Sequence, residues 1–264
     1  MNKEKIMTQF GRSAEAYATS KVHAKGDSLT RLLTLTTPQP DWYVLDVATG
    51  AGHTAFTFAP YVAGVVATDL TPRMLQVTRE QAVERGVTNL VVAQADAEAL
   101  PFKSEVFHLV TCRIAAHHFG EIGRFLQESA RVLRPHGYLA IVDNIVPGSR
   151  LRGKKARLQR EAGQYINAFE KLRDPSHHRC LSLSEWEDAI AAAGFQLQHQ
   201  ETMTKQIEFS SWAARMHVSP KDQIRLKAML LQAPEAVQQF LTPHITGDRI
   251  TFQLTEAILV MQKP

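Results

Sequence analysis

The chain has 264 residues, of which 44% are apolar and 21% are charged, and its formal net charge is +4. This composition is ordinary for a folded enzyme and argues against a disordered or fibrous protein. The densest basic cluster, at residues 150–155, has no interleaved aromatic residues for base stacking, so no nucleic-acid partner is expected. Two isolated cysteines, a polar start and the lack of an 18-residue apolar run predict a cytoplasmic protein without a membrane span.

The first elements along the chain are helical. Residues 1–38 are predicted to form helices with a break near Ser20. An apolar run at residues 44–47 contains Asp46 and leads into a turn with Gly50 and Gly52, which predicts a strand, a tight turn and a helix. A second apolar run, at residues 62–67, is followed by Asp69 at the predicted tip of the neighbouring strand.

Short apolar runs and helical stretches then alternate, which is typical of a parallel sheet covered by helices on both faces. One helix is predicted from Thr71-Pro72 to Gly86, and another is predicted to end at Pro135. Ser182 and Glu185 have the spacing of a capping box at the start of a later helix. The remaining predicted strands are residues 89–95, 106–112, 138–142, 195–206 and 250–261.

The glycine turn admits more than one interpretation. Gly50, Gly52 and the acid nineteen residues after Gly50 also fit a dinucleotide fingerprint. A carboxylate at Asp46, four residues before Gly50, would be unfavourable beside a pyrophosphate and favourable beside a methionine ammonium. Two acids at adjacent strand ends suit a ligand with an amine and a ribose diol, and S-adenosylmethionine has both groups. A purely structural turn is the third interpretation.

The order and spacing of residues 40–145 resemble class I S-adenosylmethionine-dependent methyltransferases. The resemblance is greatest to the branch that contains the ubiquinone/menaquinone-biosynthesis C-methyltransferases. It implies an α/β fold with a Rossmann-like, seven-stranded, mostly parallel sheet between helices, in which the last strand is antiparallel. It also implies that Ala48 replaces the first glycine of the family's Gly-x-Gly-x-Gly loop.

The same resemblance implies the positions that bind the cofactor. Asp46, Gly50 and Gly52 match the loop around the methionine portion, and Asp69 matches the acid that binds the ribose hydroxyls. The other positions implied are Leu70, Asp96 and Ala97 near the adenine, Arg113 and Ala48 near the methionine end, and Tyr17 in an N-terminal segment that covers the cofactor. For Arg113, a buried cation, we expect a carboxylate partner from the cofactor or from Asp46.

Two segments have no place in this core. Residues 148–181 and 209–245 are predicted as helical cap insertions, because insertions beyond the carboxyl ends of parallel strands become substrate walls. The sequence is thus predicted to begin with a helical lid at residues 1–38. The cofactor-binding core is predicted at residues 39–147, 182–208 and 246–264, and the two cap insertions interrupt it.

Histidine is the natural base for an acceptor that must lose a proton. His118 and His117 follow the fourth strand and are the catalytic candidates; the alternative is that their hydrogen bonds only hold this loop in place. His177, His178, Tyr165 and Asn144 are candidates for contact with the acceptor. No histidine pair has the spacing of a metal site, so no metal is expected.

These patterns together predict an S-adenosylmethionine-dependent methyltransferase that acts on a small molecule and releases S-adenosylhomocysteine. An NAD(P)-dependent oxidoreductase and a non-catalytic S-adenosylmethionine-binding protein are the alternatives. A homodimer is possible.

Overall fold

The computed structural model describes residues 3–18 and 26–264, and within the first stretch it leaves the side chains of residues 13 and 15–18 undescribed. The helices are α1 (Lys3–Ala18), α2 (Asp27–Thr36), α3 (His53–Phe58), α4 (Pro72–Glu84), α5 (Ile122–Val132), α6 (Lys154–Arg173), α7 (Leu183–Ala192), α8 (Phe209–Ala214), α9 (Pro220–Leu231) and α10 (Glu235–Leu241). The strands are β1 (Tyr43–Val47), β2 (Gly64–Asp69), β3 (Leu90–Gln94), β4 (Phe107–Arg113), β5 (Leu133–Asn144), β6 (Gln196–Glu208), β7 (His244–Thr246) and β8 (Arg249–Gln262).

One sheet organises the molecule, with strand order β3-β2-β1-β4-β5-β8-β6. The strands β1 to β5 run parallel, and β8 runs antiparallel to both of its neighbours, β5 and β6. The predicted fold class is therefore confirmed. An eighth strand was not predicted from the sequence: the short β7 forms a hairpin with β8.

The central strands are apolar because both faces of the sheet are covered. Val44, Leu45, Leu109 and Val110 are fully buried, as expected for parallel strands between two layers of helices. Each such side chain contributes about 1.5–3 kcal/mol by leaving water.

Turn and capping residues set the helix ends. The helix α7 begins with the predicted capping box, in which the Ser182 amide donates to Glu185 Oε2 (2.8 Å) and the Glu185 amide donates to Ser182 Oγ (3.4 Å). The helix α4 begins at Pro72, as predicted, but the side chain of Thr71 makes no capping hydrogen bond. The backbone amide of Thr71 instead donates to Asp69 Oδ1 (2.8 Å), which ties the start of α4 to the tip of β2.

A second apolar core lies between the two predicted insertions and the extended ends of β6 and β8. Phe169 of α6 stacks on Trp212 of α8, with ring centroids 5.0 Å apart, and Phe252 of β8 packs edge-on against both. Helices from both predicted insertions therefore share one apolar core with the ends of β6 and β8. The exact segment boundaries stay a prediction.

The helix α1 lies against α4 and covers the same end of the sheet. Its Ala14 packs with Ala51, Met74 and Val77, and Phe10 lies beside this cluster. None of the helices in the described ranges combines the length and apolar character that crossing a membrane requires.

Candidate active site

The turn after β1 is built on left-handed backbone conformations at alternate residues. Ala48 has φ +53°, Gly50 has φ +57° and Gly52 has φ +84°. A Cβ at Gly52 would lie 2.7 Å from Cε2 of Phe56, whereas a Cβ at Gly50 would meet no atom within 4 Å. Gly52 is therefore required by packing and backbone together, and Gly50 by backbone conformation alone. Ala48 tolerates the same conformation at a cost of about 1–2 kcal/mol.

Asp46 lies beneath this turn. Its carboxylate accepts hydrogen bonds from Thr49 Oγ1 (2.5 Å) and Thr111 Oγ1 (2.7 Å). Burial raises the pKa of Asp46 to about 6, although both hydroxyl groups lower it. Asp46 is 1% exposed and supports the turn from below. It does not line the adjacent cavity.

Asp69, at the end of β2, holds the turn from the side. One of its carboxylate oxygens accepts from the Gly50 amide (3.0 Å) and the other accepts from the Thr71 amide (2.8 Å). Burial raises the pKa of Asp69, and the backbone hydrogen bonds oppose this shift. The turn and the second strand are thus fixed relative to each other by one carboxylate.

A cavity that we call the glycine-loop cavity opens at this edge of the sheet, with about 940 Å³ of empty space that includes its open mouth. The predicted cofactor residues that line it are Ala48, Gly50, Asp69, Leu70, Asp96, Ala97 and Arg113. Gly52 lies outside the lining, like Asp46, and the Tyr17 side chain falls outside the described residues. The lining also includes Lys3, Ile6 and Phe10 of α1.

Lys3 was not predicted as a site residue. Its ammonium group forms ion pairs with Asp96 and with Glu98, where the Lys3 Nζ to Glu98 Oε2 distance is 3.3 Å. Asp96 is the acid that the sequence assigns to the adenine side of the cavity. These ion pairs therefore attach the first turn of α1 to the wall of the glycine-loop cavity.

Arg113, at the end of β4, is half-buried between the sheet and α2. Its Nε donates to Ser28 Oγ (3.2 Å). Burial lowers the pKa of Arg113, while the charges of Glu256 and then Asp46 raise it. The expected carboxylate charge thus comes chiefly from Glu256. Sequence reasoning missed Glu256 because the register of β5 and β8, which pairs Asn144 with Glu256, brings it to this edge.

A second cavity, which we call the polar cavity, adjoins the first and contains about 750 Å³ of empty space that includes its opening to solvent. The two cavities share three lining residues, Phe10, Ile114 and His118. Six of the sixteen residues that line the polar cavity are Arg, Lys, Asp or Glu. Most of the side chains that line the polar cavity come from the segment that follows β4, from the two predicted insertions, and from β6 and β8.

Among the histidines that line the polar cavity, His117 is the one whose ring lies within hydrogen-bond distance of a carboxylate. Its Nδ1 lies 2.6 Å from Asp143 Oδ1, and its backbone amide donates to Asp143 Oδ2 (2.7 Å). Burial by itself would lower the pKa of His117, but the charge and hydrogen bond of Asp143 outweigh it, and the net pKa is raised. The ring is therefore oriented and made more basic.

His118 has the opposite electrostatic character. Its Nδ1 lies 3.3 Å from Ser176 Oγ, and its Nε2 lies 4.0 Å from Asp174 Oδ2. Burial, followed by the charge of His117, lowers the pKa of His118 to about 3. The ring of His118 is therefore neutral near pH 7, and Phe10 packs edge-on against it with centroids 4.9 Å apart.

The four acceptor candidates have different locations. Asn144 and His177 line the polar cavity, and the ring of His177 lies 5.5 Å from that of His117. Burial and the charge of His117 lower the pKa of His177 to about 2. His178 is exposed and lines neither of the two cavities. Tyr165 also lines neither, and its hydroxyl donates to the Met229 carbonyl (2.8 Å).

Three histidine rings, those of His117, His118 and His177, are thus brought together at one end of the polar cavity. Within the part of the chain that the structure describes, no group of three or more His, Cys, Asp or Glu side chains is arranged to hold a metal ion. The cluster is instead surrounded by carboxylates, and the pKa of His117 is raised whereas those of His118 and His177 are lowered. Asp174 and Glu170, two of these carboxylates, were not predicted as site residues.

Comparison with known proteins gives a consistent result. A family model described as a methyltransferase domain matches residues 45–141. The Bacillus subtilis protein named uncharacterized methyltransferase YcgJ is 36% identical over 208 residues, which cover 79% of this chain and 78% of that protein. A crystal structure of YcgJ gives a TM-score of 0.83 at 30% identity, over 90% of this chain and 98% of that one.

Two further relatives extend this result. The crystal structure of a Bacillus halodurans protein, itself proposed to be a methyltransferase, gives a TM-score of 0.83 at 35% identity, over 90% of this chain and 100% of that one. The ubiquinone/menaquinone-biosynthesis C-methyltransferase UbiE of Zymomonas mobilis is 35% identical over 103 residues, 39% of this chain and 43% of the enzyme. The chain belongs to the class I S-adenosylmethionine-dependent methyltransferases. Within that class it is similar to the ubiquinone/menaquinone branch, and the similarity to UbiE is confined to less than half of the chain.

Proposed function

We propose that this protein transfers a methyl group from S-adenosylmethionine to a small-molecule acceptor by direct in-line displacement. The observation that carries the proposal is that the glycine-loop cavity and the polar cavity share Phe10, Ile114 and His118 as lining residues. A donor in the first cavity and an acceptor in the second would meet at these residues. Methyl transfer needs such an alignment more than it needs chemical participation by the protein.

The residues of the glycine-loop cavity fit S-adenosylmethionine. Asp69 is a buried carboxylate at a strand end, and each of its oxygens, which accepts one backbone amide, can accept a further hydrogen bond from a ribose hydroxyl group. Asp96 and Ala97 line the cavity, which supports our assignment of the adenine to their side of it. The backbone around Gly50 leaves room for close approach of the methionine portion, because no side chain projects there. When bound, S-adenosylmethionine supplies a methyl group on a positively charged sulfur.

His117 is the residue best suited to remove a proton from the acceptor. Its Nδ1 is held by Asp143, so Nε2 is the nitrogen that would receive a proton. His118, the first choice from the sequence, is a weaker base because its pKa is lowered to about 3. We assign His118 to the boundary between the cavities, where its buried ring helps to keep water away from the transfer.

Calorimetric titration with S-adenosylhomocysteine, with NADH in parallel, tests the cofactor. We expect micromolar affinity for S-adenosylhomocysteine and none for NADH. Binding of NADH alone would contradict the proposal and favour the oxidoreductase alternative. Release of S-adenosylhomocysteine during incubation with S-adenosylmethionine and candidate acceptors would then separate an enzyme from a non-catalytic binding protein.

A further inference from the structure

Glu170, on α6, has an unusual position in the polar cavity. The residue is 6% exposed and lines the cavity. Its Oε2 lies 3.4 Å from a terminal nitrogen of Arg173. Its Oε1 is buried and has no hydrogen-bond partner among the residues that the structure describes.

A buried carboxylate oxygen without a donor is costly, and native proteins contain few such groups. The surroundings do not offset this cost, because burial raises the pKa of Glu170 despite the nearby charges of Arg173 and His117. Arg173 does not require Glu170 for its own placement. Its Nε donates to the Trp212 carbonyl (3.2 Å), and its guanidinium lies 4.6 Å above the Trp212 ring.

A second buried polar atom belongs to the same cavity wall. Trp212 lines the cavity, and its Nε1 is also buried without a hydrogen-bond partner in the described structure. Glu170 and Trp212, which carry an unsatisfied acceptor and an unsatisfied donor, therefore line one cavity, whose other residues are largely charged or polar. An apolar occupant would leave both atoms unsatisfied and would also desolvate the charged lining.

We propose that Glu170 is the residue that recognises the methyl acceptor, and that the acceptor is a small hydrophilic molecule whose amino or hydroxyl group donates a hydrogen bond to Glu170 Oε1. This inference rests on the proposed function, because it takes the polar cavity as the acceptor site. Such a hydrogen bond would satisfy the orphaned atom, which otherwise remains buried without a partner. The interaction discriminates against acceptors that present only an apolar surface to this wall.

The first experiment compares the thermal unfolding of ligand-free variants of the full chain. Glu170→Met removes the orphaned oxygen at nearly constant volume, and we expect its Tm to be about 2–4 °C above that of the wild type. Asp174→Leu is the matched control, because Asp174 Oδ1 already accepts from the amide (2.8 Å) and the hydroxyl (2.5 Å) of Ser176. Its Tm should fall. A fall in Tm for Glu170→Met as well would mean that Glu170 is a structural partner and would overturn the proposal.

The second experiment uses two probes on protein saturated with S-adenosylhomocysteine. Ethanolamine carries both kinds of donor, and anisole is an aromatic molecule of small size with no donor. We expect millimolar ethanolamine to raise the Tm of the wild type, to have a smaller effect on Glu170→Gln and to have none on Glu170→Met. Three outcomes would overturn the assignment of the acceptor class. They are a rise in Tm with anisole alone, an equal rise with ethanolamine in the wild type and in Glu170→Met, and no rise with either probe.

The two proposals can fail separately. The affinity for S-adenosylhomocysteine should agree within about twofold between the wild type and Glu170→Met, since Glu170 does not line the glycine-loop cavity. If the wild type does not bind S-adenosylhomocysteine, the proposed function fails. The Tm values of the ligand-free variants still decide whether Glu170 stabilises the fold or destabilises it, as expected of a residue whose role is to bind a ligand.

Discussion

His117 and Asp143 form a buried imidazole–carboxylate pair at the carboxyl ends of β4 and β5, with His117 Nδ1 and Asp143 Oδ1 2.6 Å apart. The same carboxylate also accepts from the His117 amide (2.7 Å) and the Asn144 amide (2.9 Å). The ring of His117 therefore has a fixed orientation at the wall of the polar cavity. Its electrostatic environment also favours the protonated form.

We predict that turnover rises with pH as His117 loses its proton. Its pKa is above the ordinary value of about 6.5, so the rise should be centred above that pH in the wild type. Asp143→Asn removes the charge that raises this pKa and should move the midpoint to lower pH. A kcat profile between pH 5.5 and 9 measures both midpoints, and coincident profiles would exclude His117 as the titrating base.

The same pair predicts a pH dependence of stability. A histidine whose pKa is raised on folding stabilises the protein fully below its unfolded pKa, and this contribution is lost as the pH rises through the folded pKa. Asp143→Asn should therefore lose more stability relative to the wild type at pH 6 than at pH 9, by about 1.4 kcal/mol per unit of raised pKa. Urea unfolding at the two pH values tests the difference. An equal loss at both values would mean that Asp143 acts only through its backbone hydrogen bonds.

His118 serves as the control for the pH profile. Because its pKa is near 3, His118→Gln should leave the midpoint of kcat unchanged. Turnover should nevertheless fall more than the affinity for S-adenosylhomocysteine, since the ring lines both cavities. Steady-state kinetics and calorimetry on one preparation separate the two effects. Turnover equal to that of the wild type in His118→Gln would exclude a role for His118 in the site.

The two glycines of the turn should differ on substitution. Gly52→Ala combines a positive φ with a Cβ 2.7 Å from Phe56, and we expect it to cost about 2–4 kcal/mol of stability. Gly50→Ala has room for its Cβ and should cost about 1–2 kcal/mol, while affinity for S-adenosylhomocysteine falls because the methyl group enters the cavity wall. Urea unfolding and calorimetry on both variants check the ranking. A more stable Gly52→Ala would contradict the packing argument.

Asp69→Ala should greatly weaken the binding of S-adenosylhomocysteine while leaving the chain folded. The variant loses an acceptor for the ligand and also the anchor of the Gly50 amide, which together correspond to an affinity loss on the order of 100-fold. Asp248→Ala, at an exposed position in the β7–β8 turn, removes a similar charge as a control. Circular dichroism establishes folding. Unchanged affinity in Asp69→Ala would contradict the ribose assignment.

The sequence was informative where function depends on local geometry. The apolar strand before Gly50 and the acid at Asp69 are close enough along the chain for spacing alone to predict a turn and its neighbour. The parallel sheet between helices followed from the alternation of short strands and helices, and the antiparallel last strand followed from the resemblance to the methyltransferase family. The capping box at Ser182 is likewise a four-residue pattern, and the structure contains it.

What the sequence missed depends on contacts between distant segments. Glu256 reaches Arg113 only through the register of β8 on β5, and Glu170 reaches the histidines only through the packing of α6. His177 and His178 are adjacent in sequence, yet the bend after Asp174 buries the first and exposes the second. No periodic pattern in a single segment encodes these arrangements.

Through Phe10, the helix α1 contributes to both cavities of the candidate active site. Its side chain borders the glycine-loop cavity and the polar cavity, and Lys3, two turns earlier on the same helix, is paired with Asp96, which also lines the glycine-loop cavity. A movement of α1 that breaks the Lys3 ion pair would therefore open the glycine-loop cavity and the polar cavity to solvent at the same time. S-adenosylhomocysteine and the methylated product would then leave by the same opening. The rate at which α1 opens would set an upper limit on the turnover rate.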